Sequence, residues 1–184
     1  MSKPLITSVK EGLGFEKVSS LEELFIEQLQ DLYSAETQLI KALPKMAESA
    51  TATELKQGFR HHLEQTRVHA QRIEQILSHY DARAEGKTCQ AMKGLIKEGS
   101  ETITEYTTDE VRDAALIADA QRVEHYEIAG YGTVRAFAKL LDDAEAGELL
   151  TATFDEESAT DEKLTEISES LNLRPNRTKA SRVK

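Results

Sequence analysis

The sequence predicts an all-α fold: a bundle of four long helices with one long crossover and an additional short helix. Three observations carry that expectation. The chain has only 9 Gly and 3 Pro in 184 residues, too few for a turn-rich β protein or a low-complexity chain. Helix-start signals recur four times along it. Between them run apolar seams with alternating spacings of four and three, the period at which a helix buries one face.

The first residues, with Pro4, Gly12 and Gly14 and no sustained periodicity, read as an N-terminal arm over 1–19. The body opens at Ser20-Leu21-Glu22-Glu23, a capping box in which two end groups satisfy each other's orphan donors. The first helix, 21–50, carries the seam Phe25, Leu29, Leu32, Glu36, Leu39, Leu43, Met46, Ala50. Pro44 lies inside it, where it removes one backbone hydrogen bond and should kink the segment. Thr51-Ala52-Thr53-Glu54 starts the second helix, 53–80, with Leu55, Phe59, His62, Thr66, His69, Ile73, Ile76 and Tyr80. A short helix over 88–106 follows, spaced by Cys89, Met92, Ile96, Gly99, Ile103 and Tyr106. Thr107-Thr108-Asp109-Glu110 starts the next long helix, 109–141, with Leu116, Ala120, Val123, Glu127, Gly130, Val134, Phe137 and Leu141. Asp142-Asp143-Ala144-Glu145 starts the last, 144–171, with Leu150, Phe154, Glu157, Asp161, Leu164, Ser168 and Leu171. Residues 172–184 hold Arg174, Arg177, Lys179, Arg182 and Lys184 without an acid and read as a basic C-terminal tail. Four long helices with a long second-to-third connection make the bundle, 20–171, ferritin-like.

Charge narrows the function classes. With 33 acids against 23 Lys and Arg the net charge is -10, and the tail's five cations leave -15 on residues 1–171. Such a body repels nucleic-acid phosphates, so nucleic acid is not an expected partner except through the tail. Cys89 is the only cysteine, which excludes an internal disulfide and fits a reducing compartment. No apolar run approaches the roughly 18 to 20 residues that cross a bilayer, and the start lacks the apolar core of a secretory signal. The expectation is a cytoplasmic protein with no membrane partner.

The informative feature is what interrupts the seams. Glu36, Glu127 and Glu157 occupy core positions between apolar neighbours, and the second helix places His62 and His69 one heptad apart with Gln65 and Thr66 between them. Glu124, three residues before Glu127, can share its face. The helix midpoints fall near 35, 66, 125 and 157, so these groups stand at one level whichever way each helix runs. Several carboxylates at one buried level would repel and shift towards neutral forms; a bound cation offsets the repulsion, and carboxylate with imidazole suits iron, manganese or zinc. The set approximates a di-metal recipe, with Glu36 and Glu127 as single carboxylates and His62/Gln65/His69 and Glu157/Asp161 as paired motifs. A single glutamate on a seam is more often a boundary residue pointing outward; four helices at matched height weigh against that reading. A layer that only fixes helix register in a non-catalytic structural or assembly module is the rival. Tyr33 and Tyr126 are placed to flank the site, Asp31 and His79 read as solvated, and Cys89 as a buried small hydrophobe.

At these residues the chain resembles the YciE/YciF family of ferritin-like bacterial stress proteins. The likeness spans Leu21 to about Leu171 and rests on Asp31-Leu32-Tyr33-Ser34-Ala35-Glu36, His62-Leu63-Glu64-Gln65-Thr66, Glu110 to Ala118, Val123 to Ala129, and Glu156-Glu157-Ser158-Ala159-Thr160-Asp161. It implies a rubrerythrin-like bundle, a homodimer, and a di-iron centre linked to stress, with Glu36, Glu127 and Glu157 in the metal role and Glu124 and Asp161 close by. The family pattern reads His-Leu-Glu-Glu-Thr, and Gln65 stands here at its second Glu. Gln is a neutral, weaker ligand, for which His62, His69 or Glu64 would have to compensate.

Overall fold

The computed structural model describes residues 18–106 and 108–171. The basic tail, and the arm apart from Val18 and Ser19, lie outside the described residues. Five helices follow in order: α1 (Leu21–Ser49), α2 (Thr53–His79), α3 (Gln90–Glu105), α4 (Asp109–Leu140) and α5 (Ala144–Ser170). No strand occurs among the described residues.

The helix ends show which start signals act locally. Ser20 caps α1 by accepting from the Glu23 N–H at 3.1 Å, while the Glu23 carboxylate reaches back to Ser19. Asp143 caps α5 through the Ala146 N–H. The signal at Thr51 works differently. The N-cap of α2 is Ala52, which has no capping side chain. The Asp113 carboxylate of α4 accepts instead from the Thr51 and Ala52 N–H groups at 2.9 and 2.7 Å and from the Thr51 hydroxyl at 2.7 Å. The turn that leads into α2 is thus held from another helix. Both α2 and α4 end on an aspartate in the left-handed region, Asp81 (φ 52°) and Asp142 (φ 56°). There the next N–H closes back on the Leu77 and Ala138 carbonyls respectively, the usual way a helix satisfies its last carbonyls. α1 runs unbroken through Pro44.

α1 pairs with α2 and α4 with α5; the two hairpins face each other through α1 against α4 and α2 against α5, and α3 lies on α1 and α4. Contacts between Leu32 and Gly130, and between Thr51 and Asp113, make α1 and α4 antiparallel. α2 and α5 are antiparallel too, with Tyr80 at Asp143 and Gly58 at Ile167. The connection carrying α3 therefore travels the length of the bundle.

The apolar core is in two parts. One gathers Leu39, Leu43, Leu55, Phe59, Leu116 and Leu164; the other gathers Phe25, Leu29, Ile73, Ile76, Val134 and Leu150. Where the two clusters meet along α1, α2, α4 and α5 lies a layer of buried polar residues: Glu36, His62, Thr66, His69, Glu124, Glu127, Thr153 and Glu157. The expected seams hold through most of α1 and α2 but slip at the end of α1, where Ala47 rather than Met46 is buried, and drift in the later helices. Tyr131 rather than Gly130 is buried in α4, and Ile167 rather than Ser168 in α5. A straight helix of 3.6 residues per turn drifts against a strict heptad by about 20° per repeat, which is enough to hand a position to its neighbour. Phe154 is half-buried and receives the Arg135 guanidinium on its ring face, 4.1 Å from the centroid.

Candidate metal centre

Four helices bring their seam interruptions to one place. His62, Glu124, Glu127 and Glu157 each offer an atom within 4.8 Å of the others, and so do Glu36, His69 and Glu157. Glu157 belongs to both sets and stands between them. His69 Nδ1 lies 2.9 Å from Glu157 Oε1 and 3.5 Å from Glu36 Oε1; His62 Nε2 lies 3.3 Å from Glu124 Oε1 and 3.8 Å from Glu157 Oε2.

The outer nitrogens of both histidines are committed. His69 Nε2 is 2.8 Å from Glu156 Oε2, and the Arg72 guanidinium holds that carboxylate with two nitrogens. The Arg72 hydrogen bond keeps the Glu156 carboxyl below its ordinary range. An ionised carboxylate only accepts, so His69 donates from Nε2; Nδ1 faces inward, protonated against Glu157 in the metal-free protein and free to offer a lone pair once that proton leaves. The Thr160 hydroxyl donates to the Glu156 carbonyl, leaving its oxygen to accept from His62 Nδ1 at 3.4 Å. Nε2 of His62 is then the inward acceptor. On α4, Tyr131 donates its hydroxyl to Glu36 Oε1.

The centre is under electrostatic stress. Burial, aided by the Glu157 charge, raises Glu124 well above its ordinary value; burial, aided by Glu36 and Glu157, does the same for Glu127. Burial pushes Glu36 up to about 7, with His69 pulling the other way. For His69, burial disfavours the cation, but Glu157 and Glu36 outweigh it and hold the ring up to about 10. Glu157 is held low despite burial because it lies against both histidines. Burial lowers His62.

Hydrogen bonding gives the sharpest test of fit. Among the described residues, nine buried side-chain oxygens and nitrogens lack an aligned hydrogen bond, though His69 Nδ1 and Glu157 Oε1 form an ion pair: Glu36 Oε2, His62 Nε2, Gln65 Oε1, His69 Nδ1, Glu124 Oε2, and both oxygens of Glu127 and Glu157. All belong to this layer. Buried polar atoms are ordinarily satisfied, so an orphaned set converging from four helices is a donor set lacking its acceptor. All nine atoms carry lone pairs or can expose one, and the mixture of carboxylate and imidazole matches a first-row divalent ion. The residues fit a metal centre.

Of the residues expected from the sequence, Glu36, His62, His69, Glu124, Glu127 and Glu157 come together. Gln65 contributes a buried oxygen without a partner, next to His62. Asp161 stands outside both sets; it is half-buried, 3.4 Å from His125 and accepting from Gln121. Glu64 is exposed and paired with Arg67, so it does not compensate for Gln65. The flanking tyrosine is Tyr131, not Tyr33 or Tyr126: Tyr33 donates to Glu74, and Tyr126 to Asp31 while its oxygen sits 2.9 Å from Cys89 Sγ. Asp31 is thus half-buried and engaged rather than solvated, and Cys89 is a partnered group that also accepts from the Met92 N–H at the start of α3. Glu156 and Arg72 carried no seam signal. Their only sequence trace is Glu156 beside Glu157 and Arg72 one turn after His69.

Comparison with known proteins agrees with this architecture. Protein YciF of Escherichia coli is 46% identical over 151 residues, covering 82% of this chain and 91% of that protein. The crystal structure of the E. coli stress protein YciF superposes with a TM-score of 0.80 at 45% identity, covering 83% of this chain and 97% of that one. YcfI of Rhodopseudomonas palustris, described as a candidate structural protein, gives 0.79 at 42% identity, covering 83% and 98%. A dodecameric thioferritin, the bacterioferritin-related protein of Bacteroides fragilis, shares the fold at a TM-score of 0.63 and 16% identity, covering 84% and 93%. The family described as Domain of unknown function (DUF892) matches residues 20–175. With a ferritin-like bundle and close likeness to YciF over most of its length, the chain belongs to that family.

Proposed function

We propose that this chain is a ferritin-like stress protein whose mid-bundle layer holds two metal ions, iron being the leading choice and manganese or zinc the alternatives. The observation that carries the reading is the nine buried polar atoms without an aligned hydrogen bond that converge between two apolar clusters. Glu36, His69 and Glu157 would hold one ion, and His62, Glu124, Glu127 and Glu157 the other, with Gln65 as a neutral neighbour of His62 and Asp161 at the periphery. Bound iron would supply the electrons for reducing dioxygen or a peroxide.

The chain's own residues prepare the site. Arg72 and Glu156 fix the His69 ring, an outer layer that orients a ligand and raises its basicity. Tyr131 fixes the Glu36 carboxylate. The two apolar clusters exclude water and strengthen every electrostatic interaction between them. Loading requires Glu36, Glu124, Glu127 and His69 to give up protons, so metal uptake releases acid.

The rival reading is a non-catalytic module in which the layer fixes helix register; the description of YcfI as a candidate structural protein favours it. Thermal melting separates the two. A ligand at about 100 times its Kd stabilises the folded state by about 2.7 kcal/mol, or roughly 5–11 °C in Tm for a chain of this size. Unchanged melting with Fe(II), Mn(II) and Zn(II) would leave the structural reading. A homodimer and a cytoplasmic location belong to the same proposal, the first supported by likeness and measurable by light scattering of the purified chain. No helix among the described residues is long and apolar enough to cross a membrane.

A further inference from the structure

The metal layer has two unlike sides. Towards His69 it is closed by the Glu156–Arg72 pair and by Tyr131. Towards His62 it opens on a void of about 20 Å³ lined by His62, Glu124 and Thr160 and otherwise by apolar groups such as Leu43, Phe59 and Leu164. A space of this size holds about one water-sized or diatomic molecule, and its wall away from His62, Glu124 and Thr160 is apolar.

A second, larger cavity of about 200 Å³ lies between α1, α3 and α4, floored by Leu95, Ile96 and Ile103. The two spaces share a wall: Leu39, Met46 and Val123 line both. Met46 is half-buried, and its unbranched thioether chain yields more readily than a branched residue. Lys41 and Lys45, both exposed, also line the outer cavity. Asp119 also lines it, but its carboxylate is engaged by Thr102 and Arg122, and the apolar wall behind the lysines disfavours ions and strongly hydrated molecules.

We propose that the cavity beneath α3 and the void beside His62 are the entry route of a small uncharged reactant, dioxygen, with Leu39, Met46 and Val123 as the gate. This rests on the metal-centre reading for what the reactant meets, but not for the route itself. Crystals of the metal-free protein pressurised with xenon read the route directly. The expected result is xenon in the void next to His62, and its loss in Val123→Phe with xenon retained beneath α3. A wild-type void that excludes xenon overturns the proposal whatever the metal result.

Stopped-flow oxidation of Fe(II)-loaded protein by dioxygen supplies the second readout. Val123→Phe should slow it about tenfold, as closing a gate does, with iron stoichiometry unchanged. Should that variant misfold, Ser100→Phe crowds the outer cavity from an exposed position of α3 and slows oxidation in the same direction. A folded, iron-loaded variant oxidising at the wild-type rate would end the assignment. Failure of the wild type to bind iron would sink the metal reading instead, and the xenon result would still stand or fall separately.

Discussion

Single residues carry the strongest tension in this molecule, and Glu127 is its centre. Both of its oxygens are buried without partners, and burial with the neighbouring Glu36 and Glu157 lifts its pKa well above normal. Glu127→Leu should therefore raise the Tm of the metal-free protein by a few degrees, since replacing buried ionisable groups by apolar ones of similar volume is often stabilising by about 1–4 kcal/mol. The same change should remove metal from the His62 side; differential scanning calorimetry with and without Fe(II) checks both halves. The pH profile has a defined sign. Glu36 is held up to about 7 and His69 up to about 10, so the fold retains protons that the unfolded chain has already lost. Stability of the metal-free protein must fall as pH rises through these windows, from the ordinary carboxylate value to about 7 and from the ordinary imidazole value to about 10. Glu156 and Glu157, held low, oppose this only at acid pH. Melting curves from pH 6 to 10 should decline steadily without metal and flatten once metal has displaced the protons. Glu156→Gln should weaken metal binding by about 10- to 100-fold, the usual effect of losing a partner that orients a ligand, measurable by competition with a chelator. The inward carboxylates and histidines were legible in the sequence because each broke the apolar period of its own helix. Glu156, Arg72 and Tyr131 were not, because they act across helices and break no period.

Among the elements, the start of α2 shows how a local signal can mislead. Thr51-Ala52-Thr53-Glu54 has the composition of a capping box, yet Thr51 does not cap; Asp113 of α4 binds its hydroxyl and the two leading N–H groups. A carboxylate supplied from the facing helix locks the α1–α2 turn to α4, which no window of sequence could announce. Asp113→Ala should cost about 1–3 kcal/mol, because the several hydrogen bonds that one carboxylate makes to the α1–α2 turn are lost together. Chemical denaturation should show this loss with little change in metal stoichiometry, because the cap lies at the bundle's end. Helix order, number and length were readable from caps and periodicity, and the bounds agree to within two residues. Register was less secure in α4 and α5, where Tyr131 and Ile167 took the places given to Gly130 and Ser168.

At the scale of the whole molecule, acidity acquires a location. Most of the 33 acids face solvent, but Glu36, Glu124, Glu127 and Glu157 are buried between two apolar clusters. A core split by an unsatisfied layer is costly for a fold that needs only mechanical stability. It is reasonable for one that exchanges protons for metal there. The central claim is that this layer binds metal ions at two adjoining positions that share Glu157. Anomalous diffraction at the iron edge, on crystals equilibrated with Fe(II) under anaerobic conditions, tests it most directly. One peak is expected among Glu36, His69 and Glu157 and a second among His62, Glu124, Glu127 and Glu157. Saturating iron with no anomalous density at either position would contradict it.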